Sequence, residues 1–156
     1  ADTAIPAEFR GFTLLERART HVALDDGNAA QADLIAAQRL LPNEPSAWLL
    51  SATLARRQGD LDAAGDFIDR ALELDQRDPA ILLEAGNIAI RLNAFNVARE
   101  AWGLASEIAP ASEAGRAAAR NVVRLDEMLA DEATVPVELP ESGEAESGEI
   151  PAEPEL

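Results

Sequence analysis

The sequence predicts an all-α fold, a right-handed α-solenoid of three helix pairs closed by a C-terminal capping helix. The first observation behind this is a 34-residue unit that occurs three times in tandem, at 11–44, 45–78 and 79–112. Large apolar side chains return at that spacing: Leu14, Trp48 and Leu82; Leu15, Leu49 and Leu83; Leu34, Ile68 and Trp102; Leu40, Leu74 and Ile108. Small ones return beside them, as Ala18, Ala52 and Gly86, then Ala30, Ala64 and Ala98, then Ala37, Ala71 and Ala105, where two helices must pass backbone to backbone. Pro42 and Pro110 close the first and third units, and Gln76 holds that place in the second. The second observation is the period within each unit, with apolar residues at i, i+3, i+4 and i+7 between turn signals.

That period predicts helices over roughly 12–24, 28–41, 45–57, 61–74, 79–92 and 95–108. Residues 1–10, with Pro6 and Phe9, extend the first helix backwards by about a turn. Phe9 and Phe12 then lie near the open end of the array, covered by the N-terminal segment, used in end-to-end homo-association, or met by sequence outside this chain. Asn43 or Glu44 is positioned to cap the third helix ahead of Pro45, Asp60 follows Gly59 at a turn, and Asp78 caps the fifth helix with Pro79 at its first position. Beyond 112 the 34-residue pattern fades, yet residues 113–131 read as a seventh, capping helix. Ser112 caps it, Ala118, Val122, Leu125 and Leu129 form its apolar stripe, and Arg116, Arg120 and Arg124 run along the other side. Residues 132–156 are rich in Pro, Glu, Ser and Gly and cannot build a core, so they read as an acidic, solubilising tail.

The middle unit reads Ala47-Trp48, then Gln58-Gly59-Asp60, then Ala63-Ala64, then Ala71-Leu72-Glu73-Leu74-Asp75. In this it resembles the tetratricopeptide repeats, a 34-residue helix-turn-helix with an early Trp and Leu-Gly, a central Ala, an aromatic and a late Pro. The resemblance spans 102 of 156 residues and has departures. Arg17 and Ser51 replace a Leu, Asp25 and Asn93 stand where Gly59 does, His21, Ala55 and Ala89 replace a Tyr, and Gly27 takes the place of Leu61 and Phe95. The resemblance implies the fold and a role in binding protein. It does not imply a particular partner, because such repeats serve many.

Net charge is −16, with nine acids and no base from Asp131 onward, which leaves −7 for residues 1–130. This balance repels phosphate backbones and anionic membranes and argues against nucleic acid as a partner. All basic residues are Arg, planar forks suited to carboxylates. With no Cys there is no disulfide or thiolate chemistry, and no apolar run reaches the ~20 residues of a membrane span, so a soluble protein, cytoplasmic or periplasmic, is expected. The first residue, Ala1, points to a removed initiator Met or a cleaved or omitted upstream segment. Catalytic resources are thin. His21 is the one candidate base, and its column of Ala55 and Ala89 makes it core filler; Asp25-Asp26-Gly27-Asn28 lacks the ligand alternation of a calcium loop. No enzyme activity, metal or cofactor is expected.

What remains is the concave face, lined in this architecture by the first helix of each pair. Helical spacing places Leu15, Arg19 and Val22 there in the first unit, Leu49, Thr53 and Arg56 in the second, and Leu83, Asn87 and Ile90 in the third, with Arg57 and Arg91 at the edge. An apolar floor with guanidinium groups suits an extended or helical peptide carrying carboxylates. The competing reading makes Leu15, Leu49 and Leu83 partly core and pairs the arginines with Glu16 and Glu84. Within the resembled family, one group grips the chaperones' C-terminal carboxylate with Lys, Asn and Arg; the matching places here hold Leu15, Arg19, Ala80 and Glu84, which disfavours that activity. The acidic tail is a further candidate occupant of the Arg-bearing face.

Overall fold

The computed structural model describes residues 5–134. They form α1 (Ala7–Ala23), α2 (Gly27–Leu40), α3 (Pro45–Gln58), α4 (Leu61–Leu74), α5 (Pro79–Arg91), α6 (Phe95–Ile108) and α7 (Glu113–Thr134). The acidic segment beyond Thr134, and with it the docking of that tail, lies outside the described residues. The helix α7 runs a little past the expected boundary at residue 131.

Local chemistry starts and stops these helices. Asp26 and Asp60 each accept a hydrogen bond from the third residue on, Ala29 and Ala63, and Asp78 accepts from both Ala80 and Ile81. Glu44, rather than Asn43, caps α3 by accepting from the Ser46 backbone. Ser112 Oγ accepts from Gly115 N at 2.9 Å, the cap expected for α7. Between the helices of each pair the chain turns through the left-handed region at Asp25, Gly59 and Asn93. Those are the positions where the family pattern has Gly, and short Asp and Asn side chains are the substitutes that tolerate this conformation.

Each pair, α1 with α2, α3 with α4 and α5 with α6, packs on the next, and α7 closes the stack against α5 and α6. The core is three linked layers. Leu15, Ala18, Val22, Leu34 and Leu54 fill the first, Ala52, Ile68, Ile81 and Ile88 the second, and Leu82, Trp102, Ala118 and Leu125 the third. Ala18, Ala30, Ala37, Ala52, Ala64, Ala71, Ala98 and Ala105 are wholly buried, as the small columns require.

One expectation changes. His21 is not core filler: it is partly exposed, with Nδ1 3.7 Å from the Asp26 carboxylate and Nε2 3.8 Å from that of Asp33. Asp33 is buried and draws Arg17 into a two-point hydrogen bond at 2.6 and 2.5 Å, so this part of the first unit is joined by charge, with Arg17 at a place where the resembled repeats have Leu. The Arg17 hydrogen bonds hold Asp33 below the usual carboxylate range, against the opposing effect of burial. The 34-residue columns fade beyond 112, as expected. Ile81, Glu84 and Ile88 are followed by Gly115, Ala118 and Val122, which face the α5–α6 layer. Trp48 and Leu82 are followed by Arg116, and Ala52 and Gly86 by Arg120. The helix α7 thus caps the stack, with a small and apolar inner side and a polar outer side.

Candidate functional site

The side chains predicted for the concave face divide into two groups. Leu15 and Val22 are 2% and 8% exposed and belong to the first core layer with Leu34, so they correct the expected groove floor. They are buried because α1 has the α2 and α3 layer against this side. Leu49 and Leu83 are half-buried, packing against the second and third layers while keeping part of their surface. Thr53, Asn87 and Ile90 are also half-buried.

The arginines form the second group, and their charge is largely committed. Arg19 pairs with Glu16 at 3.2 Å one helical turn away. Arg56 grips Glu84 with two hydrogen bonds, Nε to Oε1 at 2.7 Å and Nη2 to Oε2 at 3.2 Å, and Glu84 is only 6% exposed. Glu84 is therefore a neutralised strut between α3 and α5 rather than a repulsive charge in the groove. Arg57 Nη1 donates to the Val22 carbonyl at 3.2 Å, joining the end of α3 to that of α1. Arg91 is exposed.

A third group was not expected at the site. Asn87 Nδ2 donates to Glu84 Oε2 at 3.1 Å, Asn121 Nδ2 donates to Asn87 Oδ1 at 3.3 Å, and Arg124 Nη2 donates to Asn121 Oδ1 at 2.8 Å. A polar chain thus runs from α3 across α5 to α7. Beside it, Asn87, Ile90, Trp102, Asn121, Arg124, Leu125 and Met128 line a cavity of about 380 Å³. Trp102 forms part of its wall and is fixed from behind, because its indole N–H donates to the Leu83 carbonyl at 3.1 Å. The signal that finds these residues is the spacing alone: Thr53 and Asn87 are followed after one more period by Asn121, and Arg56 and Ile90 by Arg124.

At the other end, Phe9 and Phe12 are 65% and 42% exposed. Phe12 borders a shallow hollow with Leu40, Leu41 and Pro42. Among the described residues no group of three or more His, Cys, Asp and Glu is placed to hold a metal ion, and no helix is long and apolar enough to cross a membrane.

No protein-family model matches this sequence, and no curated protein matches it. Solved structures do match in three dimensions. The first tetratricopeptide domain of Spaghetti (RPAP3), bound to the HSP90 peptide SRMEEVD, superposes with a TM-score of 0.71 at 15% identity, over 79% of this chain and 95% of that one. The tetratricopeptide domain of Sgt2 from Aspergillus fumigatus superposes with a TM-score of 0.70 at 17% identity, over 88% of this chain and 93% of that one. These likenesses establish the fold: a tetratricopeptide-like stack of helix pairs ending in a capping helix.

Proposed function

We propose that this chain is a non-catalytic interaction module that holds a peptide or helical segment of another protein along its concave face, through the half-buried surfaces of Leu49, Thr53, Leu83, Asn87 and Ile90, with Arg19, Arg57 and Arg91 at the margins. The observation that carries this reading is the continuity of that face. One polar chain and one apolar strip cross three helices, α3, α5 and α7, and end in a cavity large enough for a side chain. The RPAP3 domain of the same fold is bound to an HSP90 peptide. The chemistry for gripping a terminal carboxylate differs here, since the matching places hold buried Leu15, ion-paired Arg19, Ala80 and internally paired Glu84.

The test is selection of random peptides on the immobilised full chain, followed by counter-screening on a chain carrying Thr53→Glu and Asn87→Asp. Peptides that bind the first and not the second are the expected result. Peptides that bind both equally would place recognition elsewhere on the surface.

A further inference from the structure

We propose that the cavity between α5 and α7 is the anchor subsite of the groove, taking one bulky apolar side chain (Leu, Met or Phe) of a partner peptide whose next residue is Glu or Asp, with that carboxylate received by Arg124. The inference rests on the groove reading above and adds the ligand's chemistry.

The walls select the side chain. Ile90, Trp102, Leu125 and Met128 are apolar, Trp102 is held by its bond to Leu83, and Met128 has the flexible thioether that adapts to different shapes. The rim selects its neighbour. Asn87 and Asn121 each give one N–H and one lone pair to the chain of hydrogen bonds and keep one of each, so the surplus donors of the rim are those of the Arg124 guanidinium. A site with surplus donors requires acceptors from its ligand.

Charge is distributed in the same sense. Arg17, Arg19, Arg56, Arg70 and Arg99 are each ion-paired to a carboxylate. Arg124 contacts a neutral amide instead, and no ion pair forms on it among the described residues. The middle of the concave face is neutralised by Glu84, and of the guanidinium groups without a carboxylate among the described residues it is Arg124, at the α7 end, that lies beside the apolar cavity. A carboxylate there gains a charge-assisted hydrogen bond, and a Lys or Arg at the same position meets repulsion.

The experiment uses the full chain and fluorescein-labelled hexapeptide amides Gly-Ser-Leu-Glu-Ser-Gly, with Leu→Ser and Glu→Gln versions, read by polarisation. The Leu-Glu probe is expected to bind most tightly, and Arg124→Gln to weaken it on the order of tenfold while leaving the Leu-Gln probe unchanged. Met128→Ser should weaken both Leu probes. Arg120→Gln, on the outer side of α7, should alter neither. Equal loss of both probes with Arg124→Gln, or indifference to the leucine, overturns the proposal. So does binding that emerges only when Leu139, a leucine beside Glu138 in the acidic segment, is replaced in the full chain (Leu139→Ser), which would make the chain's own acidic segment the occupant. If display-selected peptides require Thr53 and Asn87 but ignore Arg124, the groove reading stands and the anchor subsite falls; if nothing binds the concave face, both fall.

Discussion

Side-chain volume is traded between columns in this array. In the first two units Leu34 and Ile68 share a layer with Ala18 and Ala52; in the third, Trp102 takes the large position and Gly86 the small one. A Cβ on Gly86 would collide with the Trp102 indole ring, so the glycine is a consequence of the tryptophan. Gly86→Ala is expected to cost about 1–3 kcal/mol by overpacking, measurable by urea denaturation, and Gly86→Ala with Trp102→Leu should recover part of it. Ala64→Leu, at a wholly buried small position, should cost a similar ~1–3 kcal/mol. Asp33 makes a pH prediction. Its folded pKa is lowered by Arg17, so its contribution to stability is present above the unfolded value of ~3.9 and is lost as pH falls through the folded value. Melting of the wild type should therefore drop below pH ~4 more steeply than melting of Asp33→Asn.

At the scale of helices, caps set the boundaries and one ion pair ties two units together. Asp78 accepts from two backbone N–H groups ahead of Pro79, and Asp78→Ala should cost ~1 kcal/mol, read as a lower denaturation midpoint. Arg56 on α3 is the partner of buried Glu84 on α5. Removing it leaves a carboxylate with only Asn87 to satisfy it. The expected loss for Arg56→Ala is about 2–3 kcal/mol, below the ~3–5 kcal/mol of a fully buried pair because the Arg56 side chain keeps 22% of its exposure. Glu84→Gln in the Arg56→Ala background should restore much of that loss, which distinguishes a stranded charge from lost packing.

At the scale of the whole molecule, polar side chains stand on the outer faces of both end helices among the described residues. Where Ala47, Leu50 and Leu54 meet the preceding layer, α1 carries Thr13, Glu16 and Thr20, all exposed. Where Trp48 and Leu82 or Ala52 and Gly86 meet the following helix, α7 carries Arg116 and Arg120. Stacking one copy head-to-tail on another would bury these groups without partners, so growth by that route is disfavoured. Phe9 and Phe12, both exposed at the α1 end, are the apolar pair proposed for self-association there. The expected outcome is a scattering mass that stays the same in the Phe9→Glu, Phe12→Glu double variant; a fall in mass would identify pairing through that end.

The seven helices, their turns and the buried alanine columns were legible in the sequence because they follow from local period, capping chemistry and a 34-residue repeat, all of which act over short stretches of chain. That Leu49, Thr53, Leu83, Asn87 and Ile90 lie on the first helices of their pairs follows for the same reason, and all five are half-buried. Tertiary structure decided the rest. Whether Leu15 and Val22 were groove or core depended on which layer came to lie against them, and whether Arg56 was free depended on Glu84, 28 residues away, arriving within 2.7 Å. The same holds for α7. Its periodicity showed an apolar stripe, but only packing against α5 made Asn121, Arg124 and Met128 the far wall of a cavity, because a cavity belongs to two surfaces and a helical period describes one.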